Sequence, residues 1–160
     1  EFVVQMLEKQ DEIPFKNVND EDALEQTEEE KNAAKELTEE NRALLDFVKE
    51  TLGDRIKEAR ISNILRSHAV CMTTDGMFSI EMEKYMQRRG NSVPGMQTQR
   101  VLELNPESVA FASLKAAFDS GDKERAGKYA QLLYCQALLI AELPLEDPAA
   151  YSDLVCSLMN

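Results

Sequence analysis

The chain has 160 residues, a length that suits one domain with an attached segment, and 43% of them are hydrophobic, enough for a packed core. Its formal charge of −12 argues against a phosphate backbone as partner, so nucleic acid is excluded from the expected ligands. No apolar run approaches the roughly 18 to 20 residues that span a bilayer, and the start carries Glu1 and no basic segment, so a soluble, cytoplasmic protein with no membrane partner is expected.

Glu1 to Glu8 (EFVVQMLE) reads as the end of an apolar helix with no cap and no initiating methionine, which points to a piece of a longer protein. Ile13 to Val18 follows as a short extended piece, with Pro14 favouring an edge or a strand entry. Between Asn19 and Asn41 lie ten acidic residues against only Lys31 and Lys35. Such a run is read as a solvated linker or frayed helix, the alternative being an acidic docking tail. The composition thus divides the chain into residues 1–18, an acidic linker at 19–40 and a compact domain at 41–160.

Thr38 is placed to cap the next helix, with Glu39 and Glu40 near the positive end of its dipole. Leu44, Leu45, Val48 and Leu52 recur at helical spacing, and Gly53 supplies the stop. Two β-compatible runs follow, Arg55 to Ser62 and Ala69 to Thr74, with Asp75-Gly76 as a turn. Gly76 to Gly90 (GMFSIEMEKYMQRRG) then predicts an amphipathic helix in which Phe78, Met82, Tyr85 and Met86 share a face that Met77 and Ile80 widen. Methionine is flexible and polarizable, so this face suits varied partners; the plainer reading packs it on the sheet as core.

A third run, Arg100 to Leu104, ends at Asn105-Pro106, which is expected to cap a helix presenting Val109, Leu114, Ala117 and Phe118. The economical architecture is α+β, a small three-stranded sheet covered by helices on one side. Gly121 then closes one helix and Asp122 caps another. From Leu132 to Leu143 (LLYCQALLIAEL) almost every position is apolar, whereas a helix on a single core shows an apolar stripe and a charged back. Pro144 ends it, and Asp147 caps a last helix with Pro148 at its first position and Tyr151, Leu154, Val155, Leu158 and Met159 at three- and four-residue spacing. This helical hairpin is read as serving two partners, its own domain and a second copy of the chain. An ordinary hairpin packed within one domain is the other reading.

Catalytic constellations do not emerge. His68 is the only histidine and Ser67 beside it is no evidence of a nucleophile. Phosphate-cradling loops and metal-binding helix motifs are missing too. Cys71, Cys135 and Cys156 are far apart and odd in number, so each is read as a small buried hydrophobe, not as part of a disulfide framework or zinc site. Neither enzyme activity nor a metal or cofactor is expected of this chain.

Particular strings carry a resemblance. Asn41 to Asp54 (NRALLDFVKETLGD), then Val70-Cys71, Glu103-Leu104-Asn105-Pro106, Gln136 to Ile140 (QALLI) and Leu145-Glu146-Asp147-Pro148 together resemble the C-terminal dimerisation domain of the ninety-kilodalton heat-shock chaperone family, in its bacterial branch. Glu1 to Val18 is similar to the end of that family's middle domain. The resemblance implies a homodimer closed by a four-helix bundle, two helices from each protomer, with Tyr129, Leu132, Leu133, Gln136, Leu139, Ile140, Leu143, Tyr151, Leu154, Val155 and Leu158 as interface candidates. It also implies a Met-rich helix that faces the cleft between protomers and binds non-native client proteins, here Met77, Phe78, Ile80, Met82, Tyr85 and Met86. The family is an ATP-driven clamp whose nucleotide pocket, with ATP and Mg, lies in an N-terminal domain, and whose catalytic arginine lies in the middle domain; this chain is expected to carry neither. It ends at Ser157-Leu158-Met159-Asn160 without the acidic Met-Glu-Glu-Val-Asp tail of eukaryotic cytosolic members, so a bacterial or organellar origin is expected. The competing expectation is a monomeric acidic adaptor that recruits one partner and has no chaperone role.

Overall fold

A computed structural model of the chain describes residues 9–10, 13–14, 36–62, 65–75, 79–88 and 99–159. The helix expected at Glu1 to Glu8 and most of the acidic run lie outside the described residues. Two short strands come first, β1 (Lys9–Gln10) and β2 (Ile13–Pro14), paired antiparallel with Lys9 opposite Pro14. This matches the extended piece expected around Pro14, as one half of a two-residue ladder.

Helix α1 (Arg42–Leu52) buries Leu44, Leu45, Val48 and Leu52, the four positions picked out by spacing. Its start differs from expectation. Residues 36–40 are themselves helical, so Thr38 lies inside a preceding turn and Asn41 stands at the junction. Asn41 makes no side-chain cap and instead donates from Nδ2 to the Leu37 carbonyl at 2.8 Å. The far end behaves as expected: Gly53 has φ +60°, a conformation that glycine adopts without a Cβ clash. Lys49 donates from Nζ to the carbonyls of Gly53 and Ile56 just past the helix at 2.6 and 2.5 Å, placing a cation near the negative end of the helix dipole.

A 3-10 turn over Gly53–Arg55 delays the first long strand, so the run expected from Arg55 is a strand only over β3 (Glu58–Ile61). Strand β4 (Val70–Thr74) and strand β5 (Arg100–Leu104) fall where expected, and the sheet order is β3-β5-β4, with β3 parallel and β4 antiparallel to the central β5. Alternation along each strand sorts the residues onto two faces. On one face the cross-strand rows Ala59, Leu102, Met72 and Ile61, Leu104, Val70 join the hydrophobic core. On the other, Arg60, Glu103 and Cys71 form one row beside Thr73 and Val101.

Helix α2 (Ile80–Arg88) lies in the connection between β4 and β5, followed after β5 by α3 (Val109–Asp119), α4 (Lys123–Ile140) and α5 (Pro148–Leu158). Asn105 does not cap α3. Ser108 does, accepting from the Phe111 N–H at 3.1 Å, while Asn105 folds the approach by accepting from the Glu107 N–H and donating to the His68 carbonyl. The joint between α3 and α4 is a Schellman turn at Gly121, φ +79°, in which the Gly121 and Asp122 N–H groups bond to the carbonyls of Phe118 and Ala117. Asp122 then caps α4 by accepting from the Arg125 N–H at 3.0 Å, as expected.

Helix α4 is the spine of the domain. It packs against α1, α3, α5 and strand β4, and its small residues Ala126, Gly127, Ala130 and Ala137 are buried where neighbours approach closely. Leu133 is wholly buried, as are Leu44, Leu102, Leu104 and Leu114 of the elements around it. Burying a side chain of that size contributes about 1.5–3 kcal/mol relative to leaving it in water. The expected α+β class, with a three-stranded sheet and helices on its apolar face, is what the chain forms.

Candidate functional site

Among the described residues, two helical surfaces keep grouped apolar side chains at least partly in water. The first is the hairpin of α4 and α5. Helix α4 ends at Ile140, four residues before Pro144, the residue expected to stop it. The stop is a second Schellman turn: the Glu142 N–H bonds to the Leu139 carbonyl, the Leu143 N–H bonds to the Leu138 carbonyl, and the buried Leu143 and Leu138 bracket it. The left-handed position, φ +55°, is held by Glu142 where glycine is usual, at a steric cost of roughly 1–2 kcal/mol. Asp147 caps α5 by accepting from the N–H groups of Ala149 and Ala150 at 3.0 and 2.9 Å, with Pro148 at the first helical position.

The interface candidates divide by burial. Leu133 and Leu143 are enclosed by the chain's own core. Tyr129, Leu132 and Gln136 are half-buried, and Arg125 lies over the Tyr129 ring at 6.0 Å. Leu139 and Ile140, at the end of the helix, keep 47% and 46% of their surface in water. On α5, Tyr151, Leu154, Val155 and Leu158 are half-buried, and that helix has no buried residue at all. The outward apolar positions are thus contributed by both arms of the hairpin.

The second surface is α2. Met77 and Phe78 lie outside the described residues; Ile80 packs against the core, Met82 and Met86 are half-buried, and Tyr85 is 45% exposed. Ser79 starts this helix by accepting from the Met82 N–H at 3.2 Å, a cap that the sequence reading missed although serine is a favoured residue there. Polar ties hold α2 in place. Glu83 accepts from Arg100 of β5 at 2.5 Å, and the same guanidinium donates to the Tyr134 hydroxyl of α4 at 3.3 Å. Both partners of that ion pair are largely shielded, and the Glu83 carboxylate and Tyr134 offset the burial that disfavours the Arg100 charge, leaving its pKa raised. Lys84 donates to Glu81 at 2.7 Å and lies 3.5 Å from the Glu142 carboxylate at the hairpin corner. The hydrogen bond to Glu81 raises the Lys84 pKa, partial burial opposes it, and Glu142 adds to the rise.

The polar sheet face carries a paired carboxylate. Glu103, largely buried, accepts from Arg60 at 3.1 Å and from Thr73 at 3.0 Å, which supplies the partners its charge requires. Cys71 beside it is pushed up to about 12 by burial first and then by the Glu103 charge, so its thiol stays protonated and unreactive at neutral pH. Among the described residues there is no group of three or more His, Cys, Asp or Glu side chains able to hold a metal ion, and no helix long and apolar enough to cross a membrane. The arrangement suits binding through apolar surface.

Comparison with known proteins agrees in family. The profile of the family described as Hsp90 protein matches residues 1–160. Among curated relatives, the chain is similar to the chaperone protein HtpG of Clostridium acetobutylicum, 45% identical over 160 residues and 100% of this chain. It is likewise similar to the chaperone protein HtpG of Halalkalibacterium halodurans and of Bacillus subtilis, 40% and 38% identical over 159 residues and 99% of this chain in each case. In all three the match covers 25% of the relative, so the chain spans about a quarter of the length of these proteins.

Proposed function

The chain belongs to the Hsp90 protein family, and on that premise we propose that it is a homodimerisation domain which ties together two arms of an ATP-dependent chaperone and offers α2 to non-native client proteins. The observation that carries this reading is the half-covered hairpin: Leu139 and Ile140 expose nearly half their surface, and α5 lies on α4 with none of its side chains buried. A second hairpin laid across the first would cover Leu139, Ile140, Tyr151, Leu154, Val155 and Leu158 and complete a four-helix bundle. In this arrangement residues 1–18 belong to the end of the preceding middle domain, residues 19–40 form an acidic linker, and residues 41–160 form the C-terminal dimerisation domain. Nucleotide chemistry, with ATP and Mg, belongs to the remaining length of the parent protein.

Tethering has a physical consequence for such a parent. Joining two arms at one end converts contact between their distal domains from a bimolecular event into an intramolecular one, at an effective concentration set by reach. The client surface would be the face of α2 carrying Ile80, Met82, Tyr85 and Met86, held beside the corner of the hairpin by Lys84 and Glu142.

Light scattering across a dilution series tests the reading directly. A dimer is expected at micromolar concentration; a species that stays at the 18.1 kDa of one chain would remove the proposal in favour of a monomeric adaptor. The double substitution Leu139→Asp, Ile140→Asp should give a folded monomer, because two carboxylates would be stranded in an apolar interface. Loss of helical circular dichroism instead would assign both side chains to the chain's own core. Met82→Ser, Met86→Ser should weaken suppression of a test protein's aggregation while the dimer mass stays intact, and unchanged suppression would return that face to internal packing.

A further inference from the structure

Glu142 combines two properties that call for a common cause. It is the only non-glycine residue with positive φ among those described, at a helix end where glycine would fit without steric cost. Its carboxylate also reaches 3.5 Å from the Lys84 Nζ, on a helix that follows β4 and belongs to a different part of the chain. Glycine would relieve the backbone and forfeit that contact. A strained position occupied by a long acidic side chain that reaches a cation points to a role for the side chain itself.

Lys84 is suited to receive it. Its side chain is only 11% exposed, so the amine is held in place rather than sweeping through solvent, and Glu81 one turn earlier on α2 fixes it from the other side. The next residue back, Glu83, is tied through Arg100 to Tyr134 on α4. Helix α2 is therefore pinned to the α4–α5 hairpin twice, once along α4 and once at the corner where α4 gives way to the approach to α5. Both ties fall at adjacent residues of α2, with Ile80 packed on the core before them and the half-exposed Tyr85 just after.

We infer that Glu142 is a positioning residue for α2: it holds a left-handed backbone so that its carboxylate fixes Lys84 and, through it, the orientation in which Met82, Tyr85 and Met86 are presented. The contact is internal to one chain and does not depend on the dimer or on client binding; its use in presenting a client face rests on the function proposed above. Any movement of the hairpin corner is transmitted to α2 through this pair.

Backbone amide exchange over residues 80–88 of the 160-residue chain tests the assignment. Glu142→Gln keeps the side-chain length and removes the charge, and should speed exchange in α2 by about two- to five-fold, the range open to an ion pair with one exposed partner. In a Lys84→Gln background the same substitution should change nothing further, because the pair is already broken. Glu142→Gly should raise the melting temperature by relieving the backbone while loosening α2, two effects of opposite sign that a purely structural residue would not produce. Unchanged α2 exchange in Glu142→Gln, or an equal increase with and without Lys84, would overturn the assignment. Because each variant is also weighed by light scattering, loss of the dimer is read separately from release of α2.

Discussion

Helices α4 and α5 are joined by a short corner and capped by the same device, an aspartate accepting from the first turn, yet one is enclosed and the other is not. Helix α4 buries Ala126, Gly127, Ala130, Leu133, Tyr134, Ala137 and Leu138, while α5 buries none of its eleven residues. Capping and periodicity are local and can be equally good in both; burial is set by what lies opposite. The difference teaches that helix formation and helix burial are separate problems, and that α5 solves only the first within one chain.

Substitutions can sharpen this contrast or break it. The largest effect is expected from Leu133→Ala, which should cost about 2–5 kcal/mol in urea unfolding because the cavity is enclosed on every side. The cost should be the same at every protein concentration at which the association state is unchanged. Leu158→Ala is expected to differ in kind. At dilutions where the chain is monomeric it should cost about 1 kcal/mol or less, rising where a second chain covers the site, since association adds its free energy to apparent stability. A cost that is independent of concentration would make α5 ordinary surface. The smallest effect should come from Gly127→Ala on the enclosed helix. The new methyl would meet Thr51 Cγ2 at 3.8 Å, an ordinary contact, so the gain in helix propensity, about 0.5–1 kcal/mol, should appear as added stability.

The same contrast explains how much could be read from sequence. Leu44, Val48 and Leu52 at helical spacing, and Asp122 and Asp147 before their helices, are local signals, and all five act as expected. The dense apolar run from Leu132 shows that two sides of α4 are greasy, but not which leucine faces which side. Leu133 and Leu143 therefore stood with Leu139 and Ile140 until packing separated them. Asn105 and Thr38 failed as caps for a different reason: each is a residue type that favours several turn conformations, and its neighbours decide which. Ser108 and Asn41 stand at the two helix starts, and Asn105 closes the turn that leads to the first of them. The tie between Lys84 and Glu142 had no signal in sequence, because it joins residues far apart in the chain through a backbone angle that no periodicity reports.

The strand order has a consequence for biosynthesis. Strands β3 and β4 do not pair with each other; both pair with β5, which is made last and sits between them. A nascent chain that has emitted Ile61 must wait for about forty more residues before either edge finds its hydrogen bonds, roughly 2–9 seconds at ordinary translation speeds. During that interval two unpaired edges leave the ribosome together, and ladder formation waits for a single late event, the arrival of Arg100 to Leu104.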